Sequence, residues 1–377
     1  MSLRSKFLAR SVVAATLIVA SFLAAVSAQA EAANCDAKSL IPQLKTEGKL
    51  DGVEAEAAKV KNGEGRFYRI EKDGVAPSYL LGTMHLGDPR LLQLPTPIET
   101  AFDQSRRLVI ETTDVLDQKK LAGVIMADPT LTMLPNGQTL DDYLDPKEKD
   151  RLKSMLSKKG VPLQAVERLQ PWFLSSGFML PSCQQVLVKG IPIVLDTTLA
   201  LRAKTAGKQV EGLETGVEQL KTMAAIPLKE QMDSFVALLA IENRIGDVFE
   251  TMIELYLEEH VSTMIPAIEA AVPDGGVMVG AGEGYNSFEE KVILERNRRM
   301  ADRMVPLLDK GGTFVAVGAL HLTGDKGLVA LLRGKGYRVT RVTVPVPAAA
   351  IEPPTAADAS KEVTPPTAAT PEKSDDQ

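Results

Sequence analysis

Two segments far apart in the chain end in the same way. Tyr79-Leu80-Leu81-Gly82-Thr83-Met84-His85-Leu86-Gly87-Asp88 and Phe314-Val315-Ala316-Val317-Gly318-Ala319-Leu320-His321-Leu322-Thr323-Gly324-Asp325 each run from a short apolar strand through Gly-x-x-His to Leu and a Gly-Asp turn. The chain has three histidines, and two of them stand in this context. Glycine at a strand end lets a second backbone or a ligand come close. A fold that lays the two exits side by side brings His85 and His321 together. Neutral imidazole is a common metal ligand and a general base near neutral pH, so the converged pair is a candidate reactive centre. For one copy the plainer reading, a histidine capping its strand end, is preferred because four-residue motifs are weak. The second copy reverses that preference.

The rest of the pattern surrounds these exits with alternating strands and helices. Residues 36–62 suggest a surface helix. Gly65 to Ile70, the Lys72-Asp73-Gly74 turn and Ser78 to Leu81 read as a hairpin feeding the first motif. A helix opens with Thr96 as N-cap and Pro97 in its first turn, and Arg107-Leu108-Val109-Ile110-Glu111 follows as a strand. A carboxylate at the end of an apolar strand needs a cation, a metal or several donors if it is buried, which makes Glu111 a third candidate for the centre. Without the histidines, a solvated strand-end Glu is the simpler account.

From about 115 to 190 the pattern is helical and broken by prolines: Leu116 to Met126, Asp141 to Ser157 and Pro171 to Val188. This reads as an insertion over one face of the sheet. Trp172, the single tryptophan, reads as a packing anchor. An apolar run ending at Asp196 leads into a helix at Thr197 to Ala206, which Asp196 is placed to cap; Lys208 to Glu214 looks like another strand. Long amphipathic helices follow, Lys229 to Ala240 and Asp247 to His260 among them, with His260 suited to terminal carbonyls. A glycine-rich loop at 275–284 lacks the Gly-Lys-Ser/Thr of a phosphate cradle. Ser287 with Glu290 predicts a capping box for the helix Phe288 to Leu308. Its Glu295-Arg296-Asn297-Arg298-Arg299 run reads, on composition alone, as a solvated basic face. The second motif, a helix at Gly327 to Arg333 and a strand at Tyr337 to Val344 close the pattern. The expected fold is a layered α/β domain over residues 31–345. Its mixed sheet is flanked by helices, in two pseudo-repeated halves that each carry a strand–Gly-x-x-His exit.

The chain's ends carry a different signal. Arg4, Lys6 and Arg10 precede an apolar run from Val12 to Val26 and an Ala28-Gln29-Ala30 exit, the pattern of a cleavable secretory signal over residues 1–30. The run is shorter than the ~20 residues of a spanning helix, so no stable membrane span is expected after cleavage. Cys35 and Cys183 are the only cysteines, and in an exported, periplasmic protein the pair reads as one disulfide; two buried thiols are the alternative. Residues 346–377, rich in Pro, Ala and Thr, read as a disordered tail. A net charge of −6, with no basic run interleaved with aromatics, excludes nucleic acid as an expected partner.

From about Gly65 to Val344 the chain resembles the TraB/PrgY/GumN family, related to the Tiki proteases and more distantly to haem-uptake ChaN-like and erythromycin-esterase-like proteins. The resemblance is carried by the two Gly-x-x-His motifs, Val109-Ile110-Glu111, Gln170-Pro171-Trp172, Asp196, Gly212-Leu213-Glu214-Thr215, Gln219 and Arg296-Asn297. It implies the shared α/β fold and moves Arg296, Asn297, Asp196 and Glu214 from the surface to a pocket. The Tiki branch is described as metal-dependent proteases. The expected activity is therefore a metal-dependent hydrolase of a peptide or ester bond. His85, His321 and Glu111 would hold manganese, cobalt or zinc, whose bound water becomes a usable nucleophile. Arg296 and Asn297 would stabilise an oxyanion, and Gly82, Gly318, Asp196 and Glu214 would line the substrate site. Two non-enzymatic readings stand beside this one. One is a periplasmic protein that grips haem or another small ligand, against which the aromatic content of 5% counts; the other is an interaction module in envelope or polysaccharide export.

Overall fold

Alternate residues of the central strands feed two different cores, as expected of a sheet covered on both faces. The computed structural model describes residues 37–178, 180–181, 187–188, 191–272 and 287–345. The signal segment, both cysteines, the glycine-rich loop and the tail from 346 lie outside these residues. The strands are β1 (Phe67–Glu71), β2 (Ser78–Thr83), β3 (Arg107–Ile110), β4 (Leu187–Val188), β5 (Ile191–Pro192), β6 (Gln209–Gly212), β7 (Thr313–Gly318) and β8 (Arg338–Arg341). Six form one sheet in the order β6-β3-β7-β2-β1-β8, while β4 and β5 make a separate two-stranded hairpin. In the six-stranded sheet β1 alone is reversed, antiparallel to both β2 and β8; β6, β3, β7 and β2 are mutually parallel.

On one face Leu81, Leu108, Ile110, Phe314 and Ala316 pack with Ile98, Phe102, Leu199 and Ala203, residues of the helices Thr96–Gln104 and Leu195–Thr205. On the other, Leu80, Val109, Val315 and Val317 meet Met300, Met304, Val329 and Leu332 from the helices Arg296–Leu308 and Leu328–Gly334. The result is the expected layered α/β architecture, with β7 at its centre fully buried from Phe314 to Val317. A third core joins Met84 and Leu86, on the first motif, to helices Ile245–Leu257 and Met264–Ala271. The segment between β3 and β4 is helical and packs against Leu228–Ala240 through Leu152, Leu156, Leu174 and Phe235. Trp172 is buried there, its Nε1 donating to Gln170 Oε1 at 3.0 Å. No helix among the described residues is long and apolar enough to cross a membrane.

Several local expectations are corrected. The helix expected over 36–62 is two, Ile41–Thr46 and Leu50–Ala57, separated by Gly48 at φ 66, a left-handed stop open to glycine. Pro95, not Thr96, occupies the N-cap position of the next helix, which has no side-chain cap. The helix expected from Pro171 to Val188 stops at Phe178, because Pro181 cannot continue it, and Leu187–Val188 pairs in the hairpin instead. His260 faces Glu64 Oε2 at 2.9 Å rather than helix-end carbonyls. The capping box at Ser287 is absent: Ser287 Oγ donates to Glu230 at 3.0 Å and Glu290 pairs with Arg298 at 2.6 Å. The cause is a π-helical stretch, Glu289–Glu295, whose wider turn shifts the register.

Candidate functional site at the carboxyl edge of the sheet

Because β2, β7, β3 and β6 are parallel, their carboxyl ends reach one edge, where open α/β sheets bind ligands. His85 follows β2, His321 follows β7, Glu111 follows β3 and Glu214 follows β6. The two exits are adjacent but out of step by one residue, since Gly82 pairs with Val317 and Thr83 with Gly318. The two glycines therefore do different jobs. A Cβ on Gly82 would meet Ala319 Cα at 2.9 Å, so this glycine lets the second exit pack against the first strand and faces no open space. A Cβ on Gly318 would lie 3.3 Å from Glu111 Oε1, 3.5 Å from His321 Cδ2 and 3.7 Å from His85 Nε2. Its absence leaves the centre clear.

The histidines converge on one oxygen. Glu111 Oε1 lies 3.8 Å from His85 Nε2 and 3.7 Å from His321 Nε2, and it accepts the Gly318 N–H at 2.8 Å. Each ring is held from behind. His85 Nδ1 is 3.0 Å from Asp196 Oδ2, whose other oxygen accepts from Thr83 Oγ1 at 2.9 Å. His321 Nδ1 is 2.7 Å from Asn297 Oδ1, while Asn297 Nδ2 donates to the Lys326 carbonyl at 3.0 Å. That second bond orients the amide, so His321 carries its proton on Nδ1 and turns the Nε2 lone pair toward the centre. Asn297 is fully buried with both ends of its amide engaged. Asp196 lies in the first turn of its helix, but Val194 occupies the N-cap position, so its carboxylate serves His85 instead of the helix end.

Behind the centre runs a buried ionic chain. Arg296 binds Glu111 Oε2 at 2.5 Å and, through Nε, Glu214 Oε2 at 2.8 Å; its Nη1 lies 3.3 Å from His321 Nε2. Arg299 closes the chain on Glu214 Oε1 through Nε at 2.9 Å. The Glu214 side chain has 0% exposure, so it faces arginines and no open space. Gln219 Nε2 donates to Glu111 Oε2 at 3.2 Å and Glu214 Oε2 at 3.4 Å. Gln219, which carries part of the resemblance, has no role legible in the sequence, and Arg299 is signalled there only by its place three residues after Arg296 on one helix face. Arg296 and Asn297 are buried, and only Arg298 of the basic run's arginines is exposed.

The electrostatics separate the two histidines. Asp196 is the main force raising the His85 pKa to about 9, against the cost of desolvation. Burial is the main force lowering that of His321 to about 4. Burial alone would raise the Glu111 carboxyl, but the histidine and Arg296 charges and the Gly318 N–H hold it below the usual carboxylate range. The His85 side chain is 57% exposed and that of His321 5%, so solvent reaches the centre from the His85 side. Asp196→Asn is expected to return the His85 pKa toward the ordinary value of ~6.5. An NMR titration of chelator-treated protein reads this directly; a pKa still near 9 would show that Asp196 is not the cause. Among the described residues, no three His, Cys, Asp or Glu side chains form a ready-made metal site.

An open, mostly parallel α/β sheet with two imidazoles and a carboxylate converging at its carboxyl edge is the class this fold and geometry define. The chain belongs to the TraB/PrgY/gumN family, whose model matches residues 67–341. Metalloprotease TIKI1 of Xenopus tropicalis is 28% identical over 318 residues, covering 72% of this chain and 60% of that protein. The human metalloprotease TIKI1 is 26% identical, covering 72% of this chain and 61% of its own length. An uncharacterized protein of Treponema pallidum is 22% identical over 68% of this chain and 76% of its own length. The chain thus spans less than two thirds of the TIKI relatives it matches. No solved structure matches it significantly.

Proposed function

We propose that this chain is a metal-dependent hydrolase of peptide or ester bonds, exported to the bacterial periplasm. The observation that carries the reading is the approach of both His Nε2 atoms to a single Glu111 oxygen, each ring fixed through Nδ1. Imidazole ligands held from behind in this way are the usual partners of a bound ion. The relatives named metalloproteases support the class.

The residues fit a divalent ion in donor chemistry. Bonds of about 2.0–2.2 Å place tetrahedral ligands roughly 3.4 Å apart, so separations of 3.7 and 3.8 Å call for small side-chain movements. Arg296 would also give up its 3.3 Å contact with His321 Nε2. His85, His321 and Glu111 would hold the ion, with manganese, cobalt and zinc all compatible. When bound, it supplies Lewis acidity and a more acidic water. The chain's own residues do the rest. Asp196 holds the His85 ring at the open side, and Asn297 positions His321. Arg296, fixed by Glu214, presents positive charge where an oxyanion develops. Gly318 leaves room for the reacting group.

Metal analysis of the purified protein tests the reading. A stoichiometric divalent ion is expected, lost in both His85→Ala and His321→Ala together with hydrolysis of a peptide library. Retention of the ion in both variants would refute the assignment. A visible absorption band on adding haem, without hydrolysis, would favour the ligand-binding alternative. A stable partner on pull-down with neither metal nor ligand would favour the interaction module.

A further inference from the structure

A cavity of about 130 Å³ lies beside Glu111 on the β6 side, lined by Thr112, Val115, Leu121, Gln219, Leu220 and Met223. Thr112 is the residue after Glu111, and Gln219 is the side chain that donates to Glu111 Oε2 at 3.2 Å, so the cavity and the reactive centre share a wall. We propose that this cavity is a substrate subsite that receives one apolar side chain close to the bond being cleaved. The inference rests on the hydrolase reading and adds a substrate class to it.

The wall decides the chemistry of the occupant. Val115, Leu121, Leu220 and Met223 contribute hydrocarbon or thioether, and the polar groups among them are already engaged. Asp114, also part of the lining, accepts from Lys120 Nζ at 2.6 Å and from the Gly216 N–H at 2.8 Å. Thr112 Oγ1 accepts the Asp114 N–H at 3.2 Å, and the Gln219 amide is turned to the two carboxylates. A polar guest would give up its hydration for groups already hydrogen-bonded to the protein, whereas an apolar guest gains burial against the hydrocarbon that makes up most of the wall.

Size narrows the choice further. An apolar cavity of ~150 Å³ takes a benzene ring, whereas whole small-molecule ligands need roughly 300–1,000 Å³. The volume here matches a single branched aliphatic or aromatic side chain. Position agrees as well. The histidines leave β2 and β7, while the cavity lies where β3 and β6 end, one strand further along the edge. Strands are spaced ~4.8 Å apart and an extended peptide advances ~3.3 Å per residue. A peptide lying across the strand ends with its reacting carbonyl at the histidines would place a side chain one or two residues away over this opening.

The test uses the full chain and two independent readouts. Benzene is titrated into protein carrying labelled Val, Leu and Met methyls, in wild type, Met223→Ala and Met223→Trp. Wild-type metal-supplemented protein and both variants are then profiled on a peptide library. The expected result is that benzene shifts the methyls of Val115, Leu121, Leu220 and Met223 in wild type, and that Met223→Trp abolishes the remaining shifts. In the library, peptides with Leu, Met or Phe at one fixed position are preferred over Gly by about ten-fold or more. Met223→Trp erases that preference, and Met223→Ala moves it to larger side chains. If benzene shifts none of these methyls, the cavity is not a binding site and the proposal falls whatever the activity. If benzene binds but all three proteins share one cleavage profile, the subsite is overturned while the hydrolase reading stands. If benzene binds and wild type cleaves nothing, the hydrolase reading fails and takes the subsite with it. Should Met223→Trp not fold, the shift in profile for Met223→Ala alone decides.

Discussion

Arg296→Met is expected to cost about 3–5 kcal/mol of folding stability, because removing one partner of a buried ion pair leaves uncompensated charge behind. Among the described residues, the guanidinium alone touches Glu111, Glu214 and His321 together, and its side chain is 9% exposed. Its loss leaves the Glu111 carboxylate to the Gln219 and Gly318 donors and the two more distant imidazoles, and leaves Glu214 to Arg299. Arg296→Lys is expected to rescue little, since an ammonium cannot span two carboxylates as the planar fork does. Urea denaturation of the wild type and both variants measures this, and a cost below about 1 kcal/mol for Arg296→Met would refute the ionic chain as a structural core. The sign with pH follows from Glu111. Its folded-state pKa is depressed, so the stability it contributes is present above its unfolded value of ~4.3 and is lost as pH falls toward the folded value. The deficit of Arg296→Met is therefore expected to be larger at pH 7 than at pH 4.

On the proposed hydrolase reading, Glu111→Gln is expected to lower the hydrolysis rate by about 10²-fold or more, because an amide is a poorer ligand than a carboxylate and even residues that only support metal ligands are worth about 10–100-fold. It carries a structural cost too. Every hydrogen-bond neighbour of the Glu111 carboxylate donates: the Gly318 N–H to one oxygen, Arg296 and Gln219 to the other. An amide nitrogen must face a donor whichever way it turns, an unmet buried bond worth roughly 1–3 kcal/mol. Comparing kcat well below each protein's unfolding temperature separates the two effects. A variant that unfolds earlier yet keeps near wild-type kcat would place Glu111 in the scaffold and outside the chemistry.

Much of the sheet was legible in the chain because its signals are local. Tyr79 to Leu81 and Phe314 to Val317 show the apolar runs of strands covered on both faces, and they lie in β2 and β7. Glu111 stood out as a charge closing such a run. Where local signals misled, a longer-range partner had intervened. Asp196 reads as a helix cap and is claimed by His85. Ser287 and Glu290 read as a capping box and are drawn to Glu230 and Arg298 within and beside a π-helical turn. The basic run at 295–299 reads as solvated, yet Arg296 and Asn297 point inward.

The sequence by itself determined the strands of the six-stranded sheet, the two Gly-x-x-His exits and the three side chains expected to meet, since hydrophobic period and glycine placement act within a few residues. Only the tertiary structure decided that the exits are neighbours offset by one residue, that the two histidines differ in exposure and charge, and that Gln219 divides the centre from an apolar cavity. Those outcomes depend on strand order and on desolvation by groups more than a hundred residues away, and neither quantity is written in any local stretch of chain.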